Sequence, residues 1–158
     1  ADVVITTRVP SGHSGDWLME VEFVAVARSD HALIELDRPL TSEDLARHVQ
    51  VVVRDSGHKH PRDEGWLGSE LRCTVSSMEA SLGTIEAGLA FAWLPLHLVS
   101  GALEQGKIRR LPLIMGASRN VPLYLVLVNA ELAGRAARAA VEALQRHRPL
   151  TQLERAAP

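Results

Sequence analysis

The chain has 158 residues, enough for one domain or two small lobes, and its hydrophobic share of 46% excludes a disordered tract. A net charge of −2 argues against direct nucleic-acid binding, because phosphate contacts need a clustered excess of Lys and Arg. Cys73 is the one cysteine, which excludes an internal disulfide and fits a reducing, cytoplasmic setting.

Aromatic residues make up only 4%, so the core must be built from Val, Leu, Ile and Ala. No apolar run approaches the roughly 18 residues that a membrane helix needs. The start, Ala1-Asp2-Val3-Val4-Ile5, lacks the basic-then-apolar order of a signal peptide and has no initiator Met, as expected of a processed or excised chain.

Val3-Val4-Ile5-Thr6-Thr7 is β-branched and bounded by Pro10-Ser11-Gly12, which predicts a buried strand followed by a loop over residues 10–16. Residues 17–27, with Val21, Phe23, Val24, Ala25 and Val26, predict a second strand. Thr41 and Asp44 are spaced as a capping pair, so a short helix should run from there to about His48. Residues 50–54 carry three consecutive valines and predict a third strand; residues 55–68 read as a polar loop with Gly57, Pro61, Gly65 and Gly68.

Residues 71–113 are the most informative. A strand over 71–75 meets Ser76 and Ser77, both candidate helix caps, and Glu79 suits a first turn. Met78, Leu82, Ile85 and Leu89 recur at helical spacing, and Gly88 is a helix stop. Residues 89–94 predict an apolar strand covered on both faces, Pro95 the first position of a helix ending near Gly106, and residues 108–113 a further strand. Strand, helix, strand, helix, strand with short joins implies a parallel sheet with crossover helices. Residues 121–128 predict another buried strand, with Pro122 at its start or on an edge. Residues 132–147 predict a helix with Ala133, Ala137, Ala140 and Leu144 on one face and Arg135, Arg138, Glu142 and Arg146 on the other, and residues 150–158 a frayed tail.

The order of these pieces resembles the C-terminal regulatory domain of LysR-type transcriptional regulators. Asp30-His31-Ala32-Leu33 is similar to that family's Asp-His-Pro-Leu signature, with Ala in place of Pro. Gly88-Leu89-Ala90-Phe91-Ala92-Trp93-Leu94-Pro95 resembles its Gly-Leu-Gly-Phe-Ala-Trp-Leu-Pro segment, and Thr74-Val75-Ser76-Ser77 its strand-to-helix turn. The resemblance spans Asp2 to about His147. It implies a type 2 periplasmic-binding-protein-like α/β fold, with two lobes joined by two crossing strands and a small anionic or aromatic effector bound between them. On that reading residues 1–27 and 121–150 are a remnant of the first regulatory subdomain, 28–120 are the second, and 151–158 are a tail. The family's winged helix-turn-helix is absent, so any contact with DNA belongs to a missing N-terminal segment. A dimer or tetramer is expected, with no membrane contact and no cofactor.

Two roles compete at the strongest candidate site. Ser76 or Ser77 caps its own helix, or the helix N-terminus takes an anionic group, and both can hold together. Thr6 and Thr7 end a strand that lines the cleft in the family; side chains alternate, so one of the two should face an effector. Met78, beside the serine turn, and Trp93, at a strand's carboxyl end, complete the expected ligand contacts, with core packing the competing role for Trp93 and the favoured one for Phe91. His58-Lys59-His60 suggests metal only if Cys73 or Asp63 converges on it, and a solvated loop is the preferred reading. Neither a nucleophile elbow nor a phosphate loop is present, so no catalytic residue is expected, and Cys73 reads as an inert thiol. The competing functions are a solute-binding protein of a transport system and a small α/β enzyme with a Ser or Cys nucleophile.

Overall fold

The computed structural model describes residues 2–54, 68–129 and 133–147, together with the backbone of 63–64. Its elements in chain order are β1 (Val3–Thr6), β2 (Gly15–Arg28), α1 (Ala32–Glu35), α2 (Ser42–Ala46), β3 (Gln50–Arg54), β4 (Asp63–Glu64), β5 (Arg72–Val75), α3 (Met78–Glu86), β6 (Phe91–Pro95), α4 (Leu96–Glu104), β7 (Ile108–Arg110), β8 (Ser118–Leu127) and α5 (Arg135–Arg146). The chain divides into two compact units, Ala1–Val21 with Asn120–Pro158, and Glu22–Arg119. Both chain crossings fall inside strands, β2 and β8.

The larger unit is a mixed sheet with helices on both faces. β3 runs parallel to β5 in the register Gln50↔Arg72 to Val53↔Val75, and parallel to β6 through Gln50↔Phe91. β2 is antiparallel to β6 and also to β7. The sheet is therefore not all parallel, as the alternation of strands and helices suggested: α4 carries the chain from β6 to β7, and both strands pair with β2 rather than with each other. The two-residue period of the strands sorts the core into two layers. Val24, Val26, Ala92 and Leu94 pack with Ile85 of α3 and Val99 of α4. Ala25, Ala27, Phe91 and Trp93 pack with Leu33 of α1 and Leu45 of α2. Each large apolar side chain buried there contributes about 1.5–3 kcal/mol.

Several boundaries differ from expectation for local reasons. Pro95 ends β6 and caps α4 at φ −55°, ψ 129°, so the helix starts one residue later than predicted. Leu89 lies past the end of α3, is 69% exposed, and belongs to neither the helix face nor the buried strand. The chain turns at Gly88 with φ +78°, which throws Leu89 outward. α1 carried no helical periodicity; at four residues it is shorter than any apolar repeat.

In the smaller unit β1 pairs antiparallel with β8, Val3↔Leu127 through Thr6↔Tyr124, and Leu18, Leu125 and Val126 are its buried apolar residues among those described. On α5 the half-buried residues include Ala137, Val141 and Gln145, while Ala140 and Leu144 are exposed. The predicted Ala/Leu face is thus rotated toward Val141, because a four-residue repeat tracks a 3.6-residue helix as well as the chosen one. Arg135, Arg138, Glu142 and Arg146 are exposed as expected.

Candidate functional site

The serine turn stands at the carboxyl end of β5, where a parallel strand delivers the chain into α3. Ser77 adopts φ −150°, ψ 161°, and its hydroxyl accepts the Ala80 amide at 3.1 Å. Ser77 is therefore the cap; Ser76 precedes it and is exposed. Glu79 sits in the first turn. Met78 is half-buried and packs against the Val24–Ile85–Leu94 core, so its side chain supports the turn from beneath. Backbone N–H groups at the start of α3 precede its own hydrogen-bond ladder and, with the helix dipole, favour a carboxylate or similar anion.

Trp93 is 7% exposed, meets the Phe91 ring edge-on at 5.7 Å, and donates its indole N–H to the Gly116 carbonyl at 2.8 Å. The partner that a buried indole needs is thus supplied by the backbone of the chain following β7. In the smaller unit Thr6 is half-buried and its hydroxyl closes a local turn, donating to the Arg8 carbonyl at 3.0 Å and accepting the Arg8 amide at 3.3 Å. Thr7 is exposed. None of these six residues lines either of two open grooves, one of about 540 Å³ bounded by Arg28, Ser29, Asp30, Glu86 and Lys107, the other of about 730 Å³ bounded by Asp16, Trp17, Glu142, Gln145 and Arg146. His58, Lys59 and His60 lie outside the described residues, as does the side chain of Asp63. Among the described residues no group of three or more metal-ligating side chains occurs.

Residues that sequence reasoning did not single out hold this unit in place. Arg28, at the end of β2, donates from Nη1 to the Ala87 carbonyl at the close of α3 (3.0 Å) and forks onto the Asp30 carboxylate through Nε and Nη2. That fork holds the Asp30 carboxyl below the usual range. Gly88 makes the approach possible, since a Cβ there would stand 2.3 Å from Arg28 Cζ. At α2 the expected capping acid is present: Asp44 accepts from the Thr41 amide at 2.9 Å and binds the Arg38 guanidinium, which, with the Thr41 bond, holds its carboxyl well below the usual range. Asp30-His31 carried only a family likeness. Its local role is structural, with His31 capping α1 by accepting the Leu33 amide at Nδ1, 3.1 Å away.

The family model for the LysR substrate binding domain matches residues 1–149. The chain belongs to that family. As a LysR substrate-binding domain it has the type 2 periplasmic-binding-protein-like α/β fold and is an effector-binding regulatory domain of the LysR type, a match that does not favour a solute-binding protein of transport. Solved structures agree in fold. The CcmR regulatory domain of Synechocystis PCC6803, in complex with 2-PG, is 15% identical with a TM-score of 0.67, and covers 92% of this chain and 72% of its own. Full-length LysG from Corynebacterium glutamicum, with bound effector Arg, is 20% identical with a TM-score of 0.63 over 92% of this chain and 50% of its own. The regulatory domain of MetR from N. meningitidis is 18% identical with a TM-score of 0.64 over 92% and 69%. The chain thus spans about half the length of the full-length regulators it matches. Among the described residues no helix is long and apolar enough to cross a membrane.

Proposed function

We propose that this LysR substrate-binding domain senses a small anionic effector, a carboxylate above all, held at the N-terminus of α3 by the Ser76–Ser77 turn. The observation that carries this reading is the turn itself: a capped nine-residue helix opening at the carboxyl end of a parallel strand, with one serine spent on the cap and a second exposed beside it. One of Thr6 and Thr7 of the smaller unit is taken as a further effector contact, Thr7 rather than Thr6 because its side chain is exposed while the Thr6 hydroxyl closes a local turn. Met78 and Trp93 act from behind, by packing. The action is binding, not chemistry: the effector prefers one arrangement of the protein and shifts its population. In the whole regulator, a cytoplasmic homo-oligomer, that shift alters how an N-terminal segment meets DNA.

Thermal denaturation of the full-length protein against small carboxylates, amino acids and phosphorylated acids tests this. A ligand at 100 times its Kd adds about 2.7 kcal/mol. Ser77→Gly keeps most of the cap, costing a few tenths of a kcal/mol, and Ser76→Ala leaves the cap intact. Both should diminish the ligand-induced rise in Tm. A shift that survives both substitutions, or no shift with any small anion, overturns the reading.

A further inference from the structure

α1 is held by a group that titrates. Its four residues are too few to sustain a helix by propensity, so its start depends on what accepts the first amides. The His31 backbone carbonyl accepts from Ile34 and Glu35 at 2.7 and 3.2 Å, and the His31 ring nitrogen Nδ1 accepts from Leu33 at 3.1 Å. A ring nitrogen accepts a hydrogen bond only when it carries no proton. His31 is 8% exposed and its ring lies 5.2 Å from that of His48, tilted by 56°, so a positive charge on His48 opposes one on His31.

We infer that His31 and His48 form a proton-operated latch on α1, in which protonating His31 at Nδ1 removes the Leu33 cap and loosens the first turn of the helix. A protonated Nδ1 turns an acceptor into a donor facing another donor. Leu33, fully buried beside Phe91 and Leu45, and Ile34, packed against the same core layer, are then the anchors left to α1.

The charged surroundings set the direction. Burial dominates and lowers the affinity of His31 for a proton; His48, and Arg28 at the end of β2, oppose the charge, whereas Asp30 and Glu35 favour it. The neutral ring is therefore the folded form. Stability from the cap is fully present above the ordinary imidazole value of 6.5 and is lost as pH falls below it toward the lowered folded value. A charged His31 also competes with Arg28 for Asp30. Since Arg28 holds the last turn of α3 at the Ala87 carbonyl, release at α1 reaches the helix that carries the serine turn. The latch itself stands without any particular effector.

Two measurements on the full-length protein test it. In histidine-labelled protein, the His31 ring should titrate below the ordinary value, and His48→Gln should move its midpoint upward by removing the neighbour whose charge opposes that of His31. In hydrogen-exchange mass spectrometry, corrected for the intrinsic pH dependence, peptides covering α1 should lose at least several-fold protection between pH 7.5 and the His31 midpoint. His31→Asn supplies a cap that does not titrate, and should hold α1 protection constant over the same range. A His31 midpoint at or above the ordinary value, unchanged α1 protection in the parent protein, or equal acid-induced loss in the His31→Asn protein would overturn the latch.

Discussion

Gly88→Ala tests how the close of α3 is built. The residue sits at φ +78°, a conformation costing an L-amino acid about 1–2 kcal/mol. The added Cβ would also stand 2.3 Å from Arg28 Cζ. Because the guanidinium is the far end of a flexible side chain, it swings away rather than distorting the backbone, and gives up its 3.0 Å bond to the Ala87 carbonyl. That bond is worth about 0.5 kcal/mol, the low end of the usual range, because the Arg28 side chain is 40% exposed. The expected loss is about 1.5–2.5 kcal/mol, or roughly 3–10 °C in Tm for a domain of this size. Urea denaturation of the single and double variants separates the two causes. In an Arg28→Ala background, Gly88→Ala should cost only the backbone part, so the two changes should fall short of additivity by about 0.5 kcal/mol. Gly88→Asn, which tolerates positive φ, should recover most of the backbone part and none of the collision. Strict additivity, or a Gly88→Ala cost under about 0.5 kcal/mol, would refute this account of the α3 terminus.

Two further substitutions probe the core of the larger unit. Trp93→Phe removes the indole donor to Gly116 and leaves a void in the layer with Phe91; we expect a loss of about 2–3 kcal/mol by chemical denaturation, with effector binding changing only in step with stability. A protein of unchanged stability that no longer binds its effector would instead make Trp93 a direct contact. Ser81 is fully buried on α3, and its hydroxyl has no hydrogen-bond partner among the described residues. Ser81→Ala should therefore raise stability by about 1 kcal/mol or more in calorimetry, from the relieved hydroxyl and the better helix former; a net loss would show that the hydroxyl is paired.

Much of the larger unit was legible in the amino-acid order because its elements are specified locally. Three consecutive valines make β3 a strand wherever it goes, and Thr41 with Asp44 set the start of α2 through bonds spanning three residues. The apolar run from Ala90 to Leu94 is buried throughout, and Gly88 does stop α3. The serine turn could be placed for the same reason, since capping is decided by the first four residues of a helix. The family likeness added the fold that those pieces build.

What the order of residues could not contain is which distant groups meet. Alternation of strands and helices carries no record that β2 runs antiparallel to β6 and β7, because strand direction is settled by chain connection and core coverage. Arg28 and Ala87 are 59 positions apart, and no local rule joins them. Trp93 was a candidate for ligand contact or for the core, and nothing local could show that its indole meets the Gly116 carbonyl, 23 residues on. His31 and His48 are unremarkable singly, and only their packing turns a cap into a group whose charge matters. Local hydrogen bonds and two-residue alternation determine elements from sequence alone; burial and charge depend on the neighbours that tertiary folding brings, and those decide what each polar side chain does.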